Sequence, residues 1–587
     1  MCGIYGYVGK SSNAAKIIFE GLKNLEYRGY DSWGIAVKDR QSLLVEKHVG
    51  KINQNEPALP KSNLGIGHTR WATHGGVTKY NAHPHLDCTK TIAVVHNGII
   101  ENYEDIKGKL LKKDHKFSSE TDTEVISHLI EENLKTEGFA SSVRDAFNQL
   151  KGLNAIVVAY STSQEIAAAK SGSPLVIGIS EEGIFVASDI IGILKHTSNV
   201  LFLKDNQMAI IGRVLQILKL PEGKKVRQVI HKIKWNFKEA EKGKFKHFML
   251  KEIYEQPQIL ENIALNCHEQ AKKLADLIKG AFGTFFLGCG TASYAALSGT
   301  YLFSRIAKKH INFSIGSEFK YIEDYLTPKS LVVAISQSGE TIDIVDPVEK
   351  AKKRGSKIAA IVNTIGSTLY RQANFHLLLG AGPEKAVVGT KSFIAMVATI
   401  ILTAYAFVNK TEEGKRLLLK ASGNVKEILK VSYIKKIKNL AKELKKKNHI
   451  FVIGRGFSYA TALEAALKLK ETSLIHSEGF AGGELKHGVI ALVEKETPCI
   501  VIAPNDETYV DIISNAQELK TRGGLIIGIG PQENKVFDRW LSTEDIGDAT
   551  IIPQTVIVQL LAYHLALERG IKDIDKPRNL AKSVTVK

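Results

Sequence analysis

Paired cysteines are missing from this sequence. The five present, Cys2, Cys88, Cys267, Cys289 and Cys499, are scattered through 587 residues without a CxxC pair. That pattern excludes a disulfide ladder and points to a reducing compartment. No basic segment precedes an apolar one in the opening Met-Cys-Gly-Ile-Tyr-Gly-Tyr-Val, so no secretory leader is expected and the location expected is cytoplasmic. Apolar stretches are short and broken by Gly or polar residues, so no membrane span is expected. Methionine is scarce and lysine abundant, a balance compatible with a thermophile.

What is present is a globular composition, with 44% hydrophobic and 24% charged residues. The length calls for several domains. The formal charge of +18 would attract nucleic acid, an acidic membrane or small anions. Its lysines recur at helical spacing, as in Lys435-Lys436-Ile437-Lys438 and Lys445-Lys446-Lys447, which makes a solvated face. Neither a nucleic-acid partner nor a membrane is therefore expected.

Residues 2–235 read as short strands with few long helices, for example Leu64-Gly-Ile-Gly-His68, Thr91-Ile-Ala-Val-Val95 and Ala155-Ile-Val-Val-Ala-Tyr160. A helical stretch is predicted over 121–150, with Val125, Leu129 and Ile130 on one face. The Lys-rich segment Lys238–Lys246 lacks apolar periodicity, and 236–269 reads as a linker. Beyond it, apolar strand, Gly-rich turn and helix recur in order, the pattern of parallel sheets flanked by helices. An internal repeat runs through this half. Phe285-Phe-Leu-Gly-Cys-Gly-Thr-Ala-Ser-Tyr294 matches Phe451-Val-Ile-Gly-Arg-Gly-Phe-Ser-Tyr459. Leu331–Thr341 matches Ile500–Thr508, and Ala351-Lys-Lys-Arg-Gly355 matches Leu519-Lys-Thr-Arg-Gly523. Two copies are assigned, 270–420 and 435–575, followed by a tail, 576–587.

Cys2 gains an N-terminal α-amine once the methionine is removed. Such an amine has a pKa of about 8 and can act as base for its own thiol. Four further motifs suit glutamine hydrolysis: Arg28-Gly29-Tyr30-Asp31-Ser32, Gly67–Gly75, His96-Asn97-Gly98 and Ser119–Glu124. Asn97 and the Gly98 amide are suited to an oxyanion, and Arg70 and Asp122 to the carboxylate and ammonium of glutamine. Each motif has a plainer structural use, as a turn, an ion pair or a helix cap. Together they resemble the glutaminase domain of the class II, N-terminal-nucleophile amidotransferases. That resemblance implies Cys2 as nucleophile, Asn97 and Gly98 as oxyanion hole, and Arg70, Thr73, His74 and Asp122 as glutamine binders. It also implies Trp71 as gate of an ammonia path.

The acceptor half has no Ser-Gly-Gly-x-Asp-Ser pyrophosphate loop. Gly382–Ser392 fails as a phosphate loop of the nucleotide-binding type, because the glycine spacing is too long and Thr390 intervenes before Lys391. Ser336-Gln337-Ser338-Gly339-Glu340-Thr341 lies between an apolar strand and a helix predicted to start near Ile342, where hydroxyls and backbone amides suit a phosphate dianion. The second copy has Pro504-Asn505-Asp506-Glu507 there, and Asp506 repels phosphate. It has instead Lys468, Glu471 and Gly482–Gly488 with His487.

These motifs resemble the two sugar-isomerase (SIS) domains of the glutamine–fructose-6-phosphate aminotransferase family. The resemblance implies an α+β and α/β multidomain chain, an αββα glutaminase followed by two doubly wound parallel-sheet SIS domains. It implies L-glutamine and D-fructose 6-phosphate as substrates, glucosamine 6-phosphate and glutamate as products, a homodimer, and no metal or organic cofactor. Thr291, Ser336, Gln337, Ser338, Thr341 and Val387 would bind the sugar phosphate. His487 would open the ring, Lys582 would form a Schiff base with the ketone, Glu471 would move the proton, and Lys468 would assist. The alternatives are a SIS-type deglycase or isomerase and a phosphosugar-sensing regulator. Two departures stand out: Ala292 in Cys289-Gly290-Thr291-Ala292-Ser293 and Gly389 in Val387-Val388-Gly389-Thr390-Lys391 both lack a hydroxyl usual in the family.

Overall fold

Side chains along the strand Ile92–Gly98 alternate between two cores, as the period of two in a pleated strand requires. The computed structural model describes residues 2–52, 55–233 and 237–584. Ala93 and Val95 meet Ile4, Ile66 and Val186 of a facing sheet, whereas Ile92 and Val94 meet helices. The N-terminal unit comprises Met1–Glu241 with Ala581–Lys587. It contains an antiparallel sheet of eight strands against one of seven. Strand Gly3–Gly9, which follows Cys2, sits inside the first, between Leu64–Arg70 and Gly183–Ala187. Helix Ala14–Leu25 buries Ile18, Phe19, Leu22 and Leu25 on one side of the sandwich. Helices Tyr103–Leu111, Glu124–Leu134 and Phe139–Gln149 cover the other, giving the expected αββα layers. The single helical stretch predicted over 121–150 is two helices parted near Gly138.

The second unit, Lys242–Leu580, holds two parallel sheets of five strands each. In the first copy the spatial order is Asn312–Ile315, Gly283–Gly288, Ser330–Ser336, Lys357–Val362, Phe375–Leu378. The second repeats it with His476–Ala481, His449–Gly454, Pro498–Ile502, Leu525–Gly530 and Arg539–Ser542. Both are 2-1-3-4-5 doubly wound sheets, whose ligand crevice lies beyond the carboxyl ends of strands one and three. The duplicated glycines have one purpose. Gly290 and Gly456 start their helices at φ of +53° and +55°, a backbone that favours glycine. The two copies share one core, in which Phe286, Ile335 and Ile361 of the first and Ile450, Ile500 and Ile527 of the second are joined through helices Lys391–Phe407 and Ile551–Glu568.

Two expectations change. The stretch 236–269 is no linker beyond its first residues: helices Phe248–Tyr254 and Gln256–Asn266 bury Met249, Ile253, Leu260 and Ile263 in that shared core. Of the expected linker, residue 236 lies outside the described residues. One helical segment, Gly547–Glu568, is long and apolar enough to cross a membrane, contrary to the expectation of short apolar runs. Its apolar window is 94% buried inside the fold, which makes it a core helix.

Candidate active sites

In the N-terminal unit a cavity opens where the ends of three strands converge. Cys2, Arg70, Trp71, Thr73, His74, Asn97, Gly98 and Asp122 all line it, so the structure gathers the expected glutamine residues in one place. The Cys2 Sγ accepts a hydrogen bond from the Trp71 amide at 3.2 Å. Asp31 fixes that segment by accepting from the Ala72 amide at 2.9 Å. Arg28 and Asn97 both donate to the Cys2 carbonyl, at 3.2 and 3.0 Å, and Arg28 is held by Asp189. Methionine removal concerns Met1, which lies outside the described residues.

A buried histidine orients Asn97. His68 Nε2 faces two oxygens, the His96 carbonyl at 3.0 Å and Asn97 Oδ1 at 3.1 Å, so this nitrogen carries the proton. Burial pulls His68 down to about 3, so it stays neutral. With Oδ1 thus engaged, the Asn97 amide nitrogen turns toward Cys2. Gly98 adopts a φ of +148°, and a β-carbon there would come within 2.3 Å of the Leu153 carbonyl oxygen, so the peptide after Asn97 tolerates no side chain.

Asp122 is buried and accepts from the Ile100 amide at 2.8 Å. The Arg70 guanidinium donates to the carbonyls of His74, Gly75 and Gly76. It thereby shapes the loop carrying Thr73 and His74.

The second unit has a different chemistry at its centre. On helix Phe457–Ser473, Glu464, Lys468 and Glu471 follow one another at i, i+4 and i+7, which stacks them on one face. Lys468 Nζ lies 2.6 Å from Glu471, 3.4 Å from Glu464 and 3.0 Å from the Thr291 hydroxyl. Lys468 and Glu464 are fully buried. Sequence reasoning missed Glu464, although the i, i+4, i+7 spacing was available as a signal. Burial pushes the Glu464 carboxyl up to about 8, against the pull of Lys468. Burial alone would discharge Lys468, but Glu464 and Glu471 outweigh it and keep the ammonium. The group is therefore a Lys468–Glu471 ion pair beside a Glu464 carboxyl that burial drives toward its protonated form.

This has a measurable sign. Between the ordinary value of 4.5 and about 8, folded Glu464 holds a proton that the unfolded chain has released, so its contribution to stability falls as pH rises through that window. Glu464→Gln is expected to flatten the decline in thermal midpoint between roughly pH 5 and pH 9. Parallel profiles for variant and parent would show that Glu464 ionises normally.

Thr291 begins its helix beyond strand one, and Ser336 to Thr341 follow strand three, so both lie at the crevice position of the first copy. Ser336 Oγ accepts from the Gly339 amide at 3.0 Å, and Ser338 Oγ from the Glu340 amide at 3.2 Å. The helix starts at Ile342, as expected. A β-carbon on Gly389 would stand 3.6 Å from Thr291 Cγ2, ordinary contact, so the space of the missing side chain remains beside Thr291. The Ser293 hydroxyl donates instead to the Gly290 carbonyl at 2.7 Å. Glu384 accepts from the Thr390 and Ser392 amides at 3.1 Å, so a carboxylate fills the helix start that a phosphate loop would need free. Val387 is buried, with its amide on the Asp575 carbonyl at 2.8 Å.

In the second copy the matching crevice is filled from within. Asp506 accepts from the Thr508 amide and hydroxyl, and Arg305 of the first copy meets Asp506 at 3.1 Å and Glu507 at 3.2 Å. His487 closes the short helix Gly482–His487 and is exposed; among the described residues no hydrogen bond joins it to the Lys468 cluster. Lys582 belongs with the N-terminal unit.

Residues 68–195 match the glutamine amidotransferase domain family, and residues 281–408 and 443–544 match the SIS domain family. The glutamine–fructose-6-phosphate aminotransferase (isomerizing) of Thermococcus kodakarensis is 43% identical, with 100% of both chains covered. The protein of the same name from Pyrococcus horikoshii is 43% identical, again over 100% of both. Among solved structures, the C-terminal domain of glucosamine-fructose-6-phosphate aminotransferase from Francisella tularensis is 31% identical with a TM-score of 0.53, covering 57% of this chain and 99% of that one.

Proposed function

Because the chain belongs to the glutamine–fructose-6-phosphate aminotransferase (isomerizing) family, we propose that it converts fructose 6-phosphate and glutamine into glucosamine 6-phosphate and glutamate. The observation that carries the reading is the Cys2 thiol in a cavity with Asn97, Gly98, Arg70 and Asp122. The thiol attacks the side-chain amide of glutamine, with the freed α-amine of Cys2 taking its proton. The oxyanion is stabilised by the Asn97 amide and the Gly98 N–H. Ammonia leaves, and water cleaves the thioester to glutamate. Arg70 and Asp122, aided by Thr73 and His74, hold the charged end of the substrate. Trp71 gates the ammonia, which in bulk water at neutral pH would be protonated.

At the sugar, His487 assists ring opening and Lys582 condenses with the C2 ketone, releasing water. Ammonia displaces the lysine, and Glu471 carries a proton between C1 and C2 to give the aldose. Lys468 anchors Glu471 and the Thr291 hydroxyl. The exposure of His487 is consistent with a homodimer in which it serves a neighbouring subunit's sugar. The free state of all five cysteines agrees with a cytoplasmic setting. A phosphosugar sensor would have no use for a buried Lys–Glu pair and a cysteine nucleophile.

Purified enzyme given both substrates should yield glucosamine 6-phosphate and glutamate in equal amounts. Glutamate without amino sugar would defeat the reading.

The phosphate is assigned to the first copy, through Thr291, Ser336, Gln337, Ser338 and Thr341. A lost hydrogen bond to a charged group costs about 1.5–3 kcal/mol. Ser338→Ala should therefore weaken fructose 6-phosphate binding by roughly ten- to a hundredfold, while Asn505→Ala changes little. Calorimetric titration of both, with fructose as control, decides. A large loss in Asn505→Ala alone would move the phosphate to the other copy.

A further inference from the structure

Away from the glutamine cavity, four side chains from separate stretches of the N-terminal unit turn their donor atoms to one point. Cys88 follows the short strand His85–Leu86, His115 follows helix Tyr103–Leu111, and His128 and Glu131 stand one turn apart on helix Glu124–Leu134. One donor atom from each lies within 4.8 Å of all the others. Cys88 Sγ is 3.7 Å from His115 Nδ1 and 3.6 Å from His128 Nδ1. The two Nδ1 atoms are 3.2 Å apart, and Glu131 Oε2 is 3.0 and 3.2 Å from them. A tetrahedral zinc ion with ordinary bond lengths requires edges of about 3.6 Å between sulfur and nitrogen and about 3.3 Å between nitrogens or between nitrogen and oxygen. The observed edges fall close to those values.

The surroundings are those of a metal site as well. His115 directs its other nitrogen, Nε2, at Glu132 Oε1 at 3.0 Å, and His128 Nε2 faces Glu124 Oε1 at 3.7 Å. The carboxylate behind His115 places that ring's proton on Nε2 and leaves its Nδ1 lone pair pointing at the centre, as in carboxylate–histidine–zinc arrangements. The Lys116 amide donates to Cys88 Sγ at 3.4 Å. Both histidines are buried.

We propose that Cys88, His115, His128 and Glu131 bind one zinc ion in a closed structural site. Binding expels the thiol proton to solvent, and thiolate plus carboxylate balance the ion's two charges. The sulfur and imidazole donors and the tetrahedral shape select zinc over magnesium or calcium. Four protein ligands leave no open position for catalysis. The ion would tie the 87–91 segment and the 112–117 turn to helix Glu124–Leu134. Asp122 and Thr123, directly before that helix, line the glutamine cavity, so the site would steady one wall of it.

The test uses the full, untagged chain, purified under reducing conditions without added metal. Elemental analysis should find about one zinc per chain, and Cys88→Ser, at an exposed position, should remove it without unfolding the protein. Chelator competition should show zinc binding weakened by about 10–100-fold in Glu132→Gln, which touches no ion itself. Cobalt added to the stripped chain should give tetrahedral d–d absorption with a thiolate charge-transfer band, absent in Cys88→Ser. Stripping should speed thermal inactivation of glutamine hydrolysis and zinc should reverse it, while hydrolysis at low temperature persists. A parent chain without zinc and with no submicromolar affinity for it would overturn the proposal. So would zinc content or cobalt spectra indifferent to Cys88→Ser.

Discussion

Cys2→Ala is expected to lower glutamine hydrolysis by on the order of 10⁴-fold or more, the scale at which covalent hydrolases lose activity without their nucleophile. Among the described residues that line the cavity, Cys2 is the one thiol. The same variant should bind fructose 6-phosphate as tightly as the parent, because Thr291 and Ser336–Thr341 belong to another unit. Glutaminase assay and sugar-phosphate titration on one preparation check both halves. Residual hydrolysis within tenfold of the parent would show a different nucleophile, and loss of sugar binding in a folded protein would end the two-site scheme.

The second large effect is expected at the other end of the chain. Lys582→Ala should reduce amino-sugar synthesis to the level of a control without enzyme, while glutamine hydrolysis continues. Only an amine can form the Schiff base with a ketone. Borohydride should fix fructose 6-phosphate to the parent chain, and peptide mass spectrometry should find it on Lys582. Lys468 is the rival, but its ammonium is paired with Glu471 at 2.6 Å and deeply buried, a poor nucleophile. An adduct on Lys468 or Lys486 would transfer the role.

The parts legible in the sequence were those whose chemistry is written in neighbouring residues. His96-Asn97-Gly98 lies on one strand end, and Ser336–Thr341 on one turn, so their motifs survive reading in a line. The repeat was legible because Gly288 and Gly290 recur as Gly454 and Gly456 under the same steric need at a strand-to-helix turn. What escaped was set by distant contact. The cluster of Cys88, His115, His128 and Glu131 escaped because its members meet only when the strand edge and helix come together. Helices Phe248–Tyr254 and Gln256–Asn266 were absorbed into a linker because the Lys-rich run before them masks where their apolar faces begin. Glu464 escaped because one of its partners, the Thr291 hydroxyl at 3.4 Å, is far away in sequence.

The core shared by the two SIS copies makes them thermodynamically inseparable. Helices Lys391–Phe407 and Ile551–Glu568, each almost wholly buried, belong to one core together with strand residues of both sheets, so neither copy can expose its interior without opening the other's. Local opening in one half should then propagate as a single cooperative event, and core amides from Phe286 and Ile527 should exchange with solvent at one common rate. A chain severed between the copies would leave two fragments, each with half an interior facing water. Duplication here has produced one folding unit from two, and selection on either copy acts on the stability of both.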